Sequence, residues 1–161
     1  MAKVDYPLLS DQIRALAEIS NDLVPVLSNA SALLYDTLPD VNWAGFYLRK
    51  TGPSENASGA DGLLLGPFQG KPACVWIENG KGVCGTALQA DRIQRVPDVH
   101  QFPGHIACDS ASRSEIVLPI HEKSGQVTAV LDIDSPLSDC FSKADEEGLA
   151  AFVKTLEEIL Y

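Results

Sequence analysis

The chain has 161 residues, 12 Lys+Arg against 22 Asp+Glu, and a formal net charge of -10. That balance excludes DNA, RNA or an anionic membrane as the main partner. With 45% hydrophobic and 21% charged residues, the composition is that of a soluble globular protein long enough to bury a core without metal or disulfide staples.

The opening Met1-Ala2-Lys3-Val4-Asp5-Tyr6 lacks the apolar core of a secretion signal, so a cytoplasmic location is expected. Ser10 to about Leu38 reads as helical, because Ile13, Leu16, Ala17, Leu23, Val24 and Leu27 recur on one face at a 3.6 period. Pro25 lies inside that pattern and is expected to kink or divide it. Asn42 to Leu48 is rich in aromatics and reads as a strand. Thr51 to Gly62 is a polar Gly/Ser/Asn/Pro loop. Leu63 to Leu65 and Ala73 to Ile77 read as short strands, with Pro72 at the edge of the second. Glu78 to Gly85, with glycines at 80, 82 and 85, reads as a tight connection carrying Cys84. Arg92 to Val96 is another short strand.

Pro97 to Ser114 has almost no periodicity and holds His100, His105 and Cys108. A long irregular stretch inside a compact domain is more often functional than filler. Glu115 to Ile120 and Val127 to Ile133 form two strands joined by a hairpin at His121 to Gly125. Ser142 followed by Asp145 makes a capping box. Leu149, Phe152, Val153, Leu156, Ile159 and Leu160 then give one apolar stripe. Helices, strands without long helices between them, then a helix predict an α+β fold with a largely antiparallel mixed sheet.

Candidate chemistry starts at Leu131-Asp132-Ile133-Asp134-Ser135. A strand alternates its faces, so Asp132 and Asp134 share one side, about 7 Å apart from the rise per residue. Glu115 joins them if the two strands pair. Such a cluster persists if it binds a cation, shares a proton or is well hydrated. The competing reading is a solvated sheet face. Cys108 is a candidate nucleophile: Arg113 and open backbone N–H groups favour its thiolate, and Asp109 opposes it. A buried cysteine acting as a small hydrophobe is the alternative. Cys74 and Cys84 are candidate resolving partners for Cys108, and Cys140 has no assigned role. The cysteines are separated by nine, 23 and 31 residues, with no C-x-x-C pair, and no Cys/His set stands at a zinc-site spacing. No metal is expected, and His121 reads as a turn residue. Trp43 and Tyr47 share one strand face with Gly45. They belong to the core or wall a small apolar pocket.

Six segments carry a further resemblance: Asn42 to Leu48 (NWAGFYL), Leu65 to Lys71 (LGPFQGK), Gly82 to Ala87 (GVCGTA), Gly104 to Asp109 (GHIACD), Ser114 to Pro119 (SEIVLP) and Leu131 to Ser135 (LDIDS). In that order they resemble the free methionine-(R)-sulfoxide reductases, stand-alone GAF-domain enzymes, from about Ser31 onward. The resemblance implies one GAF domain over 1–161: a helical segment at 1–40, the sheet and active-site loops at 41–141, and a C-terminal helix at 142–161. The N- and C-terminal helices are expected on one face of the sheet.

The same resemblance implies a catalytic Cys108, auxiliary Cys74 and Cys84, at least one of which forms a disulfide with it, and Glu115, Asp132 and Asp134 around the substrate. Trp43 is the implied pocket tryptophan, with Tyr47 beside it as a substrate-binding residue. No bound cofactor is implied. Thioredoxin is the implied external reductant, supplied indirectly by NADPH through thioredoxin reductase, and a homodimer is the implied assembly. The expected reaction is reduction of free L-methionine-(R)-sulfoxide. A raised-pKa carboxylic acid protonates the sulfoxide oxygen, and a thiolate attacks sulfur. The resulting sulfenic acid condenses to a disulfide. Two other classes compete: a non-catalytic GAF sensor of a small ligand, and a redox or metal-binding module built on the Cys/His loop. The polar Thr51 to Gly62 stretch and Cys140 depart from the family pattern.

Overall fold

The computed structural model describes residues 3–51, 61–105 and 110–161. Two helices, α1 (Tyr6–Leu16) and α2 (Leu23–Thr37), precede three strands, β1 (Trp43–Thr51), β2 (Asp61–Gly70) and β3 (Trp76–Glu78). Helix α3 (Gly82–Ala90), β4 (Gln94–Val96) and a 3-10 turn at Val99–Gln101 follow. The hairpin of β5 (Ser114–His121) and β6 (Val127–Ser135) then leads into α4 (Lys143–Leu160). The strands form one sheet in the order β3-β2-β1-β6-β5-β4, and every described pairing is antiparallel. Among the described residues no helix is long and apolar enough to cross a membrane.

The sheet divides two apolar clusters, and strand alternation decides which residue joins which. Ala44, Phe46, Ile116, Leu118, Leu131 and Ile133 face α1, α2 and α4. Trp43, Tyr47, Val117 and Val130 face the opposite side, where α3 contributes Val83, Cys84, Ala87 and Leu88. The N- and C-terminal helices thus cover one face, as the sequence predicts. The capping box at the start of α4 is present, with both Ser142 and Asp145 bonds made. The same Asp145 accepts a 2.8 Å hydrogen bond from Tyr6, which ties α1 to α4.

Several predicted boundaries move, each for a physical reason. The helical break falls between Leu16 and Leu23 rather than at Pro25. Pro25 sits in the first turn of α2, where a missing N–H leaves no helical bond unmade. Helix α1 starts at Tyr6 because Asp5 caps it, accepting from the Leu8 N–H. The strand predicted at 63–65 extends over all of β2, and the one predicted at 73–77 shifts to β3. Pro67 enters β2 where the β1–β2 register shifts between Gly45 and Tyr47, a bulge that spares it a ladder bond. Of the predicted 51–62 loop, Thr51 pairs with Asp61, and residues 52–60 lie outside the described residues.

The larger correction is α3. The glycine-rich connection predicted at 78–85 becomes a helix from Gly82 onward, and Cys84 is therefore helical. Glycine is a poor helix former, but close packing requires it here. A Cβ on Gly85 would lie 2.5 Å from the Glu78 carbonyl oxygen. Gly82, at φ 60, sits where an L side chain is disfavoured.

Gly45 shapes the face opposite the long helices. A Cβ there would lie 2.3 Å from Phe68 Cβ and 2.7 Å from the Trp43 ring. Both neighbours are packed against the sheet, so neither yields easily. Gly45→Ala is expected to destabilise the fold by about 1–3 kcal/mol through overpacking. Urea unfolding measures this directly, and an unchanged midpoint would show that the aromatic wall relaxes around the methyl group.

Candidate functional site

The face of the sheet turned toward α3 carries a cavity holding about 550 Å³ of empty space, its open mouth included. Its floor follows from strand register. Glu115 lies opposite Asp134, which lies opposite Trp43. In the next row Val117 lies opposite Asp132, which lies opposite Gly45. The missing side chain at Gly45 leaves room for the Trp43 ring to lean over the second row.

One wall is aromatic. Trp43 stacks on Phe68 with ring centres 5.2 Å apart and on Tyr47 at 5.9 Å. The Trp43 indole N–H donates to the Lys71 carbonyl at 3.0 Å. The Tyr47 hydroxyl donates to the Cys74 carbonyl, also at 3.0 Å. The irregular segment after β2 is thereby fastened to the wall by two side chains of β1. Burial, with Asp132 the next contributor, pushes the Tyr47 hydroxyl above its usual range, so it stays a donor.

The other wall is acidic. Glu115 and Asp132 are buried and Asp134 is half-buried. Cys84 Sγ lies 3.9 Å from Glu115 Oε1. One polar atom from each of Cys84, Glu115 and Asp132 falls within 4.8 Å of the others. Burial, then the charges of Asp132 and Asp134, raise the Glu115 carboxyl well above the usual range. Burial likewise pushes Asp132 up to about 6. The Cys84 thiol is raised by burial and by the three acids, so it stays protonated. His105 Nε2 is 3.9 Å from Glu115 Oε2. Burial and neighbouring His100 lower its pKa, so the imidazole is neutral and the contact is no ion pair.

The sequence candidates therefore largely converge. Trp43, Tyr47, Cys84, Glu115, Asp132 and Asp134 line one cavity. Cys74 is tied to the aromatic wall by the Tyr47 hydroxyl and is disulfide-bonded, whereas Cys84 and Cys140 are free thiols. Cys108 and Asp109 lie outside the described residues. The solvated-face reading of the acids is overturned for Glu115 and Asp132 by their burial. His121 is more than a turn residue. Its ring bridges Asp91 at 2.6 Å and Glu157 at 3.0 Å, away from the site. Sequence reasoning missed Lys81, Ser112 and, except as a metal ligand, His105 as lining residues. The position of His105 in the same irregular stretch as Cys108 is the signal that pointed there.

Titration of this cluster has a definite sign. The folded-state value of Asp132 lies above the ordinary 3.8. Folded protein then binds more protons than unfolded chain between about 3.8 and about 6, and Glu115 adds to the difference in the same direction. Stability is thus fully present below that window and lost as pH rises through it. Asp132→Asn is expected to flatten this fall, measured by urea midpoints across the same pH series. An undiminished slope would place its origin elsewhere.

Comparison with known proteins agrees with this geometry. The GAF domain family model matches residues 11–160. A free methionine-R-sulfoxide reductase from Escherichia coli is 50% identical over 155 residues, covering 96% of this chain and 88% of the relative. Protein YtsP of Bacillus subtilis is 52% identical over 156 residues, covering 97% and 91%. The solved structure of fRMsr of Staphylococcus aureus in complex with substrate superimposes with a TM-score of 0.88 at 48% identity, over 100% of this chain and 99% of that one. The chain belongs to the GAF-domain family and, within it, to the free methionine-R-sulfoxide reductases.

Proposed function

We propose that this chain reduces free L-methionine-(R)-sulfoxide to L-methionine, with Cys108 as nucleophile and an external dithiol, thioredoxin, as reductant. The observation that carries the reading is the presence, inside one cavity, of a buried carboxyl raised well above its usual range, Glu115, a second buried acid, Asp132, and an aromatic wall. A sulfoxide needs both: an acid for its oxygen and an apolar surface for its methyl and methylene groups.

Glu115, whose carboxyl is held protonated by burial and like charge, donates its proton to the sulfoxide oxygen. The Cys108 thiolate attacks sulfur, oxygen passes to Cys108 as a sulfenic acid, and methionine leaves. Cys74 condenses with the sulfenic acid, releasing water and forming a disulfide. Thioredoxin then exchanges that disulfide for its own. Cys74 suits this role better than Cys84 because it is the disulfide-bonded cysteine of the pair. Cys84 is buried, and three acids disfavour its thiolate.

Asp132 and Asp134 hold the substrate ammonium. A peptide-bound methionine sulfoxide presents a neutral amide there and leaves the acids unpaired, which gives selectivity for the free amino acid. Cytoplasmic residence fits this chemistry, since thiols are kept reduced there.

A thioredoxin-coupled NADPH assay tests the proposal. Turnover is expected for the free R epimer, with none for the S epimer or an N-acylated peptide. Cys108→Ser abolishes turnover, and Glu115→Gln lowers kcat by roughly a hundredfold, the scale of a lost general acid. An active Cys108→Ser protein would overturn the mechanism. Equal use of both epimers would overturn the specificity. Ligand binding without any turnover would make the chain a sensor.

A further inference from the structure

We propose that Cys84, Glu115 and Asp132 form a site for a divalent metal ion of the zinc class, and that its occupancy blocks the substrate cavity. The donors are a sulfur and two carboxylates on three different elements, α3, β5 and β6. Their polar atoms lie within 4.8 Å of one another with no reorganisation of the backbone. A zinc ion with Zn–S near 2.3 Å and Zn–O near 2.0 Å sets tetrahedral sulfur and oxygen ligands roughly 3.5 Å apart. Cys84 Sγ and Glu115 Oε1 stand at 3.9 Å, within a small side-chain rotation of that spacing. His105 Nε2, 3.9 Å from Glu115 Oε2, is a candidate for a fourth ligand.

A second observation points to a ligand rather than to mere crowding. Asp132 is only 7% exposed and lines the cavity. Its Oδ1 is buried with no hydrogen-bond partner among the described residues. A buried carboxylate oxygen without a partner is costly, and a cation bound at that oxygen removes the cost. Binding displaces the protons of Glu115 and Cys84, and the ion then pairs with a carboxylate and a thiolate beside Asp132, so three crowded acidic groups become one coordination shell. Hard cations fit less well. Magnesium and calcium prefer six or more oxygens, whereas sulfur and imidazole select zinc and its neighbours.

The metal site stands on this geometry alone. Its blocking effect rests on the reductase reading, because a metal bound to Glu115 and Asp132 occupies the atoms assigned to the sulfoxide and the ammonium.

Cobalt(II) and zinc(II) are titrated separately into the purified protein, and the cobalt form is followed by its thiolate charge-transfer absorption. One equivalent is expected to bind and produce that band. Cys84→Ser is expected to abolish the band, and Cys108→Ser and Cys140→Ser to keep it. Asp132→Asn, checked for folding by circular dichroism, is expected to weaken zinc binding roughly tenfold or more, which keeps the test decisive if Cys84→Ser fails to fold. Free methionine-(R)-sulfoxide is expected to raise the apparent Kd for zinc. No band, a band that survives Cys84→Ser, or one lost in Cys108→Ser or Cys140→Ser would overturn the site. Affinity indifferent to the sulfoxide would overturn the blocking. Turnover measured without metal reports on the reductase reading separately, so failure of either claim is recognisable by itself.

Discussion

Two carboxylates withdrawn from water, with no lysine or arginine ion pair to either among the described residues, are the constraint around which this fold is arranged. Glu115 and Asp132 are both buried, and they stand beside a third acid, Asp134, in adjacent rows of the sheet. Burying an ionised carboxylate is so costly that the group takes up a proton instead. The raised values of Glu115 and Asp132 are that response. The cluster therefore keeps its protons to a higher pH than ordinary carboxylates do, and it exists only while strands β5, β6 and β1 keep their register. A one-residue slip would send all three acids into the helical core.

That dependence explains why the two faces of the sheet are built so differently. On the helical face, Leu131 and Ile133 alternate with the acids and pack among fully buried residues from α1, α2 and α4. Each such side chain contributes on the order of 1.5–3 kcal/mol on burial, so this face offsets the unfavourable chemistry of the other. On the site face, irregular features concentrate: the positive-φ Gly82 and an Asp132 oxygen with no hydrogen-bond partner among the described residues. Functional sites are where local rules of stability are expected to yield.

Sequence legibility divides along the same line. The β5–β6 hairpin, the capping box and the apolar stripe of α4 were readable because each depends on local alternation or on two residues three apart. The shared face of Asp132 and Asp134 followed from strand periodicity alone. Helix α3 was not readable, because Gly82 and Gly85 argue against a helix locally. The approach of Gly85 to the Glu78 carbonyl and the positive φ of Gly82, both set by the folded backbone, explain them. The position of the helix break was hidden for a similar reason. Pro25 is disruptive inside a helix and harmless in its first turn, and sequence periodicity does not reveal which applies. Burial of the acids was also beyond the sequence: the pattern that put them together is equally that of a solvated sheet face.

The cysteines show how environment divides roles among identical side chains. Cys84 sits on helix α3 against Glu115 and Asp132, and burial together with Asp132, Glu115 and Asp134 opposes its ionisation. Cys74 lies in a segment without regular structure, fastened to β1 through the Tyr47 hydroxyl. Disulfide exchange needs a sulfur that can move between partners, and a segment without regular structure permits that movement better than a helix packed on a sheet. The aromatic wall then has two duties. It presents an apolar surface to the cavity, and it anchors the strand end from which the exchanging cysteine hangs. A change at Tyr47 reaches Cys74 through the hydrogen bond to its carbonyl, and a change at Trp43 reaches the same segment at the Lys71 carbonyl, so shaping the pocket and positioning the sulfur are parts of a single structural problem.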